Sequence, residues 1–244
     1  MTTNLPPLAV LDLGLRPYGE TLELQRELAG RRAAGAIGND LLLLVEHDPV
    51  ITLGRGSKPE SLPVPRQELE RLGVAVFEVE RGGDVTFHGP GQLVGYPILD
   101  LGGHRRDLHW YLRQLEAALI GGLAGLGIEA ERHPGFTGVW TRGRKIVSIG
   151  IHVRQWVTFH GFALNVTTDL QRFELIVPCG IRGVEMTSVA RERGTGGRWE
   201  RSVGDEEAAL LRREARDAVI KSLGETFGRS PVGITLEELF APQD

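Results

Sequence analysis

Apolar residues come in short runs broken by glycine, proline and charge, and the period of the runs changes along the chain. Leu8 to Leu13 alternates weakly and predicts a first strand. Pro17, whose fixed φ suits a first helical turn, opens a helix to about Arg32 with Leu22, Leu24 and Leu28 among its apolar positions. Leu41 to Val45 is unbroken apolar sequence bounded by Asp40 and Glu46, short enough for a buried strand, and Val50 to Leu53 resumes as another after Pro49. Gln67 to Leu72 predicts a short helix, Val74 to Glu80 a strand, and Leu93 to Leu99 a further strand. Asp107 is a good N-cap for a helix to about Leu126, with Leu108, Tyr111, Leu112, Leu115, Leu119 and Leu123 as its apolar stripe and with His109 and Trp110 assigned to packing. Ile128 to Arg132, Val139 to Thr141, Arg144 to Arg154 and Val157 to Val166 predict four strands joined by hairpin-length connections. Helices are expected again at Glu206 to Leu223 and Leu236 to Phe240, and the polar, glycine-rich stretch from Gly194 to Gly204 predicts a mobile loop. The sum is one α/β (α+β) domain over residues 1–244, a mixed β-sheet flanked by helices.

Composition narrows this only slightly. The 244 residues carry a net charge of −4, which gives no reason to expect nucleic acid binding, and no apolar run is long enough to span a membrane. Met1 to Leu15 lacks a basic region ahead of an apolar one, so a cytoplasmic protein is expected. Cys179 is the one cysteine, which excludes an intrachain disulfide and a thiolate-only metal cage. Lys58, Lys145 and Lys221 are the three lysines among 28 basic residues. Where arginine serves ordinary positive charge, a retained lysine is more informative, because only lysine can give up its proton.

Candidate chemistry gathers around Arg81 to Gln92. Four glycines and a proline break up a stretch that also holds Arg81, Asp84, Thr86, His88 and Gln92, too many polar groups to bury without partners, so a shaped polar loop at the mouth of a strand is expected. Gly54 to Lys58 is a second glycine-basic loop, either a solvated turn or part of the same wall. Cys179 stands between Pro178 and Gly180, which suits a thiol presented on a tight turn beside an open amide; an inert buried cysteine fits equally well. Lys145 shares the apolar face of its strand with Val147, Ile149, Ile151 and Val153, where an amine either snorkels to water, the commoner outcome, or stays desolvated and can carry a proton. His88 and His160 read as hydrogen-bonding loop residues before they read as bases. No zinc motif, Walker loop or Rossmann fingerprint occurs.

Taken in order, Thr52-Leu53-Gly54-Arg55, Arg81-Gly82-Gly83 with Thr86-Phe87-His88-Gly89-Pro90-Gly91-Gln92, Tyr96-Pro97, Gly143-Arg144-Lys145-Ile146 with Ser148-Ile149-Gly150, His160-Gly161-Phe162-Ala163-Leu164-Asn165-Val166 and Pro178-Cys179-Gly180 resemble the lipoyl (octanoyl) transferase family. The likeness runs from about residue 8 to 190. It implies a fold like the biotin and lipoate protein ligases, without a separate nucleotide domain or a cofactor. It implies transfer of an octanoyl group from acyl carrier protein to a lysine of lipoyl domains, those of 2-oxo acid dehydrogenase complexes and of glycine cleavage H protein. Cys179 would become acylated and Lys145 would act as acid and base. Arg81, Gly82, Gly83, Thr86, His88, Gly89, Gln92, Tyr96, Ser148, Ile149, Gly150, His160, Gly161 and Ala163 would bind substrate, the glycine loop lining a tunnel for the acyl tail. The rivals are an ATP-dependent lipoate or biotin ligase of the same fold, which would not need Cys179, and a non-catalytic module that binds acylated carrier proteins.

Overall fold

The computed structural model describes residues 6–178, 183–194 and 204–241. The N-terminal part runs β1 (Leu8–Arg16), α1 (Tyr18–Ala33), β2 (Asp40–His47), β3 (Val50–Leu53), α2 (Arg66–Arg71), β4 (Ala75–Glu78), β5 (Val85–His88) and β6 (Gln92–Ile98). Then come α3 (Leu108–Gly125), β7 (Glu131–His133), β8 (Phe136–Thr141), β9 (Arg144–Arg154) and β10 (Val157–Asn165). The chain closes with α4 (Val189–Arg193), α5 (Asp205–Phe227), β11 (Pro231–Gly233) and α6 (Leu236–Phe240).

Eight strands form a mixed sheet in the order β11-β1-β2-β6-β10-β9-β8-β7. β1 is parallel to both neighbours, and the remaining pairs are antiparallel. The unbroken apolar run of β2 has a direct cause, since both faces of the strand are covered. Leu42 and Leu44 pack in one core with Tyr111, Leu115 and Leu119 of α3 and Val219 and Leu223 of α5. Leu41, Leu43 and Val45 pack in another with Leu28 and Ala29 of α1. A smaller sheet, β4-β3-β5, stands beside the large one. Ile51, Val85 and Phe87 from it close a third core with Leu69, Phe173 and Ile176.

Several expectations need correction. Val85–His88 lies inside the stretch read as a loop, yet it is a strand, because β3 offers it an antiparallel partner. Leu108 is exposed, so the buried stripe of α3 begins at Tyr111; it also includes Glu116. His109 is exposed rather than packed. α5 runs past Leu223 to Phe227 and ends where Gly228 takes a left-handed φ of 64°. β11 has no period-two pattern to announce it; Pro231 is tolerated because the strand lies at the sheet edge. Of the expected loop from Gly194 to Gly204, residues 195–203 lie outside the described residues.

One buried charge cluster ties the start of β2 to the loops around it. Asp40 accepts from His104 Nε2 at 2.7 Å and from the Asp100 N–H at 3.1 Å, with Arg32 at 3.2 Å and Arg229 at 3.6 Å. Burial alone would raise its carboxyl, but the His104 and Asp100 hydrogen bonds and the nearby cations hold it below the ordinary value. A depressed folded pKa means that this stabilisation is present above about pH 4 and is lost as pH falls through the folded value. Asp40→Asn is therefore expected to destabilise the fold by about 3–5 kcal/mol near pH 7. Urea unfolding would check it, and the gap to the wild type should shrink in acid.

Candidate active site

A cavity of about 200 Å³ lies between the two sheets. β5 and the loop before it supply Arg81, Gly83, Asp84, Val85, Thr86 and His88; β6 supplies Val94 and Tyr96. The other wall is β9, through Lys145, Ser148, Ile149 and Gly150, and β10, through His160, Gly161, Phe162 and Ala163. Tyr18 and the turn Gly135–Thr137 complete the lining. β6 and β10 can lie side by side here only because both strands carry glycine. A Cβ on Gly161 would stand 2.2 Å from the Gly95 carbonyl oxygen, and one on Gly95 would meet the Phe162 ring at 2.1 Å. His160, just before Gly161, holds φ at 55°, and its N–H donates to Gln25 Oε1 at 3.0 Å.

Lys145 does not snorkel: it is only 3% exposed. Its Nζ donates to the Thr137 carbonyl oxygen at 3.1 Å and lies 5.6 Å from the centre of the Trp140 ring. Its backbone is held from the other side by residues 185–187. The Lys145 N–H donates to the Glu185 carbonyl at 2.8 Å, and the Thr187 N–H to the Lys145 carbonyl at 2.9 Å. The chain that leaves the Cys179 region is thus paired with Lys145.

A buried relay of hydrogen bonds fixes the opposite wall. Asn165 Nδ2 donates to the Thr187 carbonyl, and Gln92 Nε2 donates to Asn165 Oδ1 and to the Phe87 carbonyl. Those acceptors orient the Gln92 amide, so its Oε1, 2.8 Å from His88 Nδ1, accepts, and His88 carries its proton on Nδ1. His88 Nε2 then faces Thr52 Oγ1 at 3.4 Å. The Arg81 guanidinium, also buried, donates to the Thr52 carbonyl at 2.7 Å, to Thr52 Oγ1 and to the Gly82 carbonyl. His47 donates from Nδ1 to the Arg16 carbonyl, which leaves Nε2 to accept from the Tyr96 hydroxyl at 2.8 Å.

The sequence-predicted site residues divide cleanly. Lys145, Arg81, Gly83, Thr86, His88, Tyr96, Ser148, Ile149, Gly150, His160, Gly161 and Ala163 line the cavity. Gly82, Gly89 and Gln92 do not. The Gly82 N–H is spent on the Ile151 carbonyl, a Cβ on Gly89 would meet the Phe87 ring, and Gln92 stands behind His88 as its support. Gly54 to Lys58 is a buttress, its Gly54, Arg55 and Gly56 amides donating to the carbonyls of Asp84, Arg81 and Gly83. Cys179 lies outside the described residues. Sequence reasoning missed Tyr18, Val94, Phe136, Thr137 and Phe162 on the cavity wall. Among the described residues no group of three or more His, Cys, Asp or Glu side chains could hold a metal ion.

Residues 17–208 match the lipoyl protein ligase A/B catalytic domain family. The chain is 54% identical over 172 residues to the octanoyltransferase of Gloeobacter violaceus, covering 70% of this chain and 75% of that one. It is 43% identical over 230 residues to the octanoyltransferase of Nostoc punctiforme, covering 94% and 93%. It belongs to the octanoyltransferase family. It is therefore an acyltransferase enzyme. Its fold is shared with the bipartite lipoate protein ligase of Thermoplasma acidophilum, at a TM-score of 0.68 and 18% identity over 96% of this chain and 89% of that one. No helix among the described residues is long and apolar enough to cross a membrane.

Burial makes the octanoyltransferase cavity less polar than its histidines suggest. Desolvation, helped by the neighbouring His47, pushes His88 down to about 3. Desolvation likewise lowers His47 and His160 to about 4 each, the latter against the opposing pull of Glu80. Between those values and about 6.5 the unfolded chain binds more protons than the folded one, so stability is full above pH 6.5 and falls with pH below it. Each of the three histidines is expected to contribute up to about 1.4 kcal/mol per pH unit to that fall. Urea midpoints at pH 8, 6.5 and 5 read it directly: little change over the first interval, a clear drop over the second.

Proposed function

We propose that this enzyme moves an octanoyl group from acyl carrier protein to a lysine of lipoyl domains, in 2-oxo acid dehydrogenase subunits and in glycine cleavage H protein, through a thioester on Cys179. The observation that carries the reading is the Lys145 amine, held almost wholly out of water at the wall of a small cavity of about 200 Å³. Family membership supports the acyl group, and the pairing of residues 185–187 with Lys145 supports a Cys179 segment that works beside that amine. In the first step the Cys179 sulfur attacks the donor thioester carbonyl, the carrier's sulfur leaves, and the proton from Cys179 passes by way of Lys145 to that leaving thiolate. In the second the acceptor amine attacks the Cys179 acyl group, an amide forms, Lys145 takes the amine's proton, and the Cys179 sulfur leaves. Exchange of one thioester for another is close to balanced, and amide formation runs downhill, so no nucleotide enters. A lysine can serve both steps; arginine cannot.

The acyl tail lies in the cavity, against Val85, Val94, Ile149, Phe162 and Ala163, with Arg81, Gly83, Thr86, His88, Tyr96, Ser148, Gly150, His160 and Gly161 as the rest of its wall. At about 0.8 kcal/mol per buried methylene, the tail supplies much of the binding energy. The volume is small beside the roughly 300–1,000 Å³ of pockets for drug-sized ligands, which suits a chain better than an adenylate. The whole chain acts as one catalytic domain in the cytoplasm.

Mixing the enzyme with octanoyl-acyl carrier protein in the absence of ATP should add one octanoyl mass to the wild type and none to Cys179→Ser. Lys145→Arg should fold normally and lose at least about 100-fold in turnover, the lower range of general acid–base catalysis. Intact-mass spectrometry and transfer to a lipoyl domain measure both. A requirement for ATP, or wild-type rates in Lys145→Arg, would overturn the reading.

A further inference from the structure

A carboxylate sits behind Lys145, on the far side of a single peptide group. Glu116 projects from the buried stripe of α3 and is 0% exposed. Its Oε1 accepts from the Gly138 N–H at 3.3 Å. The carbonyl of that same peptide, Thr137 O, is the acceptor of Lys145 Nζ at 3.1 Å. Carboxylate, peptide and amine therefore lie in series, each hydrogen bond polarising the next. The amine is pressed against this peptide: a Cβ on Gly138, whose φ is 127°, would stand 2.8 Å from Lys145 Cε and 3.3 Å from Nζ. Only glycine leaves the room.

We propose that Glu116 is a positioning residue for Lys145, acting through the Thr137–Gly138 peptide to aim the amine and to favour its ammonium form. The inference rests on the acid–base role proposed above for Lys145. The other Glu116 oxygen is occupied by two cations that reach it from the surface, Arg113 Nη1 at 2.6 Å on α3 and Arg132 Nε at 3.0 Å on β7. These arginines set how much negative charge the peptide feels. Among the described residues, the other charged groups near Lys145 are paired elsewhere or line the cavity. Arg144 binds Glu192, Glu185 binds Arg191, and the His133 ring lies against Trp140, 4.9 Å between centres and tilted at 46°. Arg81 and Asp84 form part of the cavity lining.

The readout is the pH dependence of octanoyl transfer, whose rising limb reports the Lys145 and Cys179 pair. Glu116→Gln keeps an acceptor for Gly138 and removes the charge, which disfavours the ammonium and favours a thiolate. The limb is expected to move to lower pH by about 0.5–1 unit, from Coulomb's law over a path of at most roughly 9 Å at an effective dielectric between bulk water and the protein interior. Glu116→Ala loses the acceptor as well and should lower kcat at every pH, with KM little changed. Arg132→Gln strips a half-exposed cation from the cluster and should move the limb the other way, to higher pH, in a chain that still folds. Because that variant spares the buried carboxylate, the test survives even if Glu116→Gln unfolds. A limb that stays put in Arg132→Gln, or moves the same way in both charge variants, overturns the inference. If Lys145→Arg is inactive in the same assays the acid–base reading stands regardless; if it is active, that reading fails first.

Discussion

The candidate site depends on one chain of hydrogen bonds that staples the small sheet to the large one. It runs from Thr52 on β3 to His88 on β5, crosses to Gln92 on β6 and Asn165 on β10, and ends on the Thr187 carbonyl. The cavity lining hangs from it, because β5, β6 and β10 each carry a member of the chain. The chain has a direction. Backbone carbonyls at Phe87 and Thr187 can only accept, so they orient both amides and leave His88 one tautomer. Buried polar groups would cost several kcal/mol each if left unmatched; matched in series they hold two sheets in a fixed relation. Thr187 carries the constraint onward, since its N–H is bonded to the Lys145 carbonyl.

This explains which parts of the molecule could be read from sequence. Elements stabilised by their own periodicity, such as α1, β2, β9 and β10, announce themselves within a few residues, and the mixed sheet flanked by helices follows from their alternation. Elements that owe their existence to a distant partner do not. β5 is four residues long, sits amid glycines, and is a strand only because β3 lies beside it. β11 exists because β1 has a free edge. The same split runs through the site. The glycines of the Arg81 to Gln92 stretch pointed to a wall but could not say which of them face the cavity: Gly83 does, whereas Gly82 is bound to β9 through the Ile151 carbonyl. Glu116 went unremarked beside the apolar stripe of α3. A glutamate in an apolar stripe was the available signal, and its meaning depends on Gly138, twenty-two positions later.

Fold and family speak to different levels of the function. At 18% identity the lipoate protein ligase of T. acidophilum shares the architecture, so the architecture does not choose between a thioester route and a nucleotide route. What distinguishes the two is the local chemistry of the site. A desolvated amine suits proton transfer, whereas an adenylating site must first gather phosphate charge. The lysine usage of the chain sharpens the point. Arginine fills nearly every other Lys or Arg position, yet the buried amine is lysine, which unlike arginine can give up its proton.

The cavity proposed for a hydrocarbon tail is lined by histidine, tyrosine and arginine, which a tail-binding surface should avoid. The conflict eases when the polar groups are followed into the scaffold. His88 and His160 are held neutral by burial, so they meet a ligand as aromatic faces rather than as cations. Tyr96 turns its hydroxyl to His47, and Arg81 turns its guanidinium to Thr52 and Gly82. The polar ends of His88, Tyr96 and Arg81 serve the scaffold, while His160 Nε2 is buried 3.6 Å from Glu80 without a hydrogen bond among the described residues. The surface a tail would touch is thus far less polar than the residue names imply, and the polar ends, locked in the network, fix the shape against which that tail would be measured.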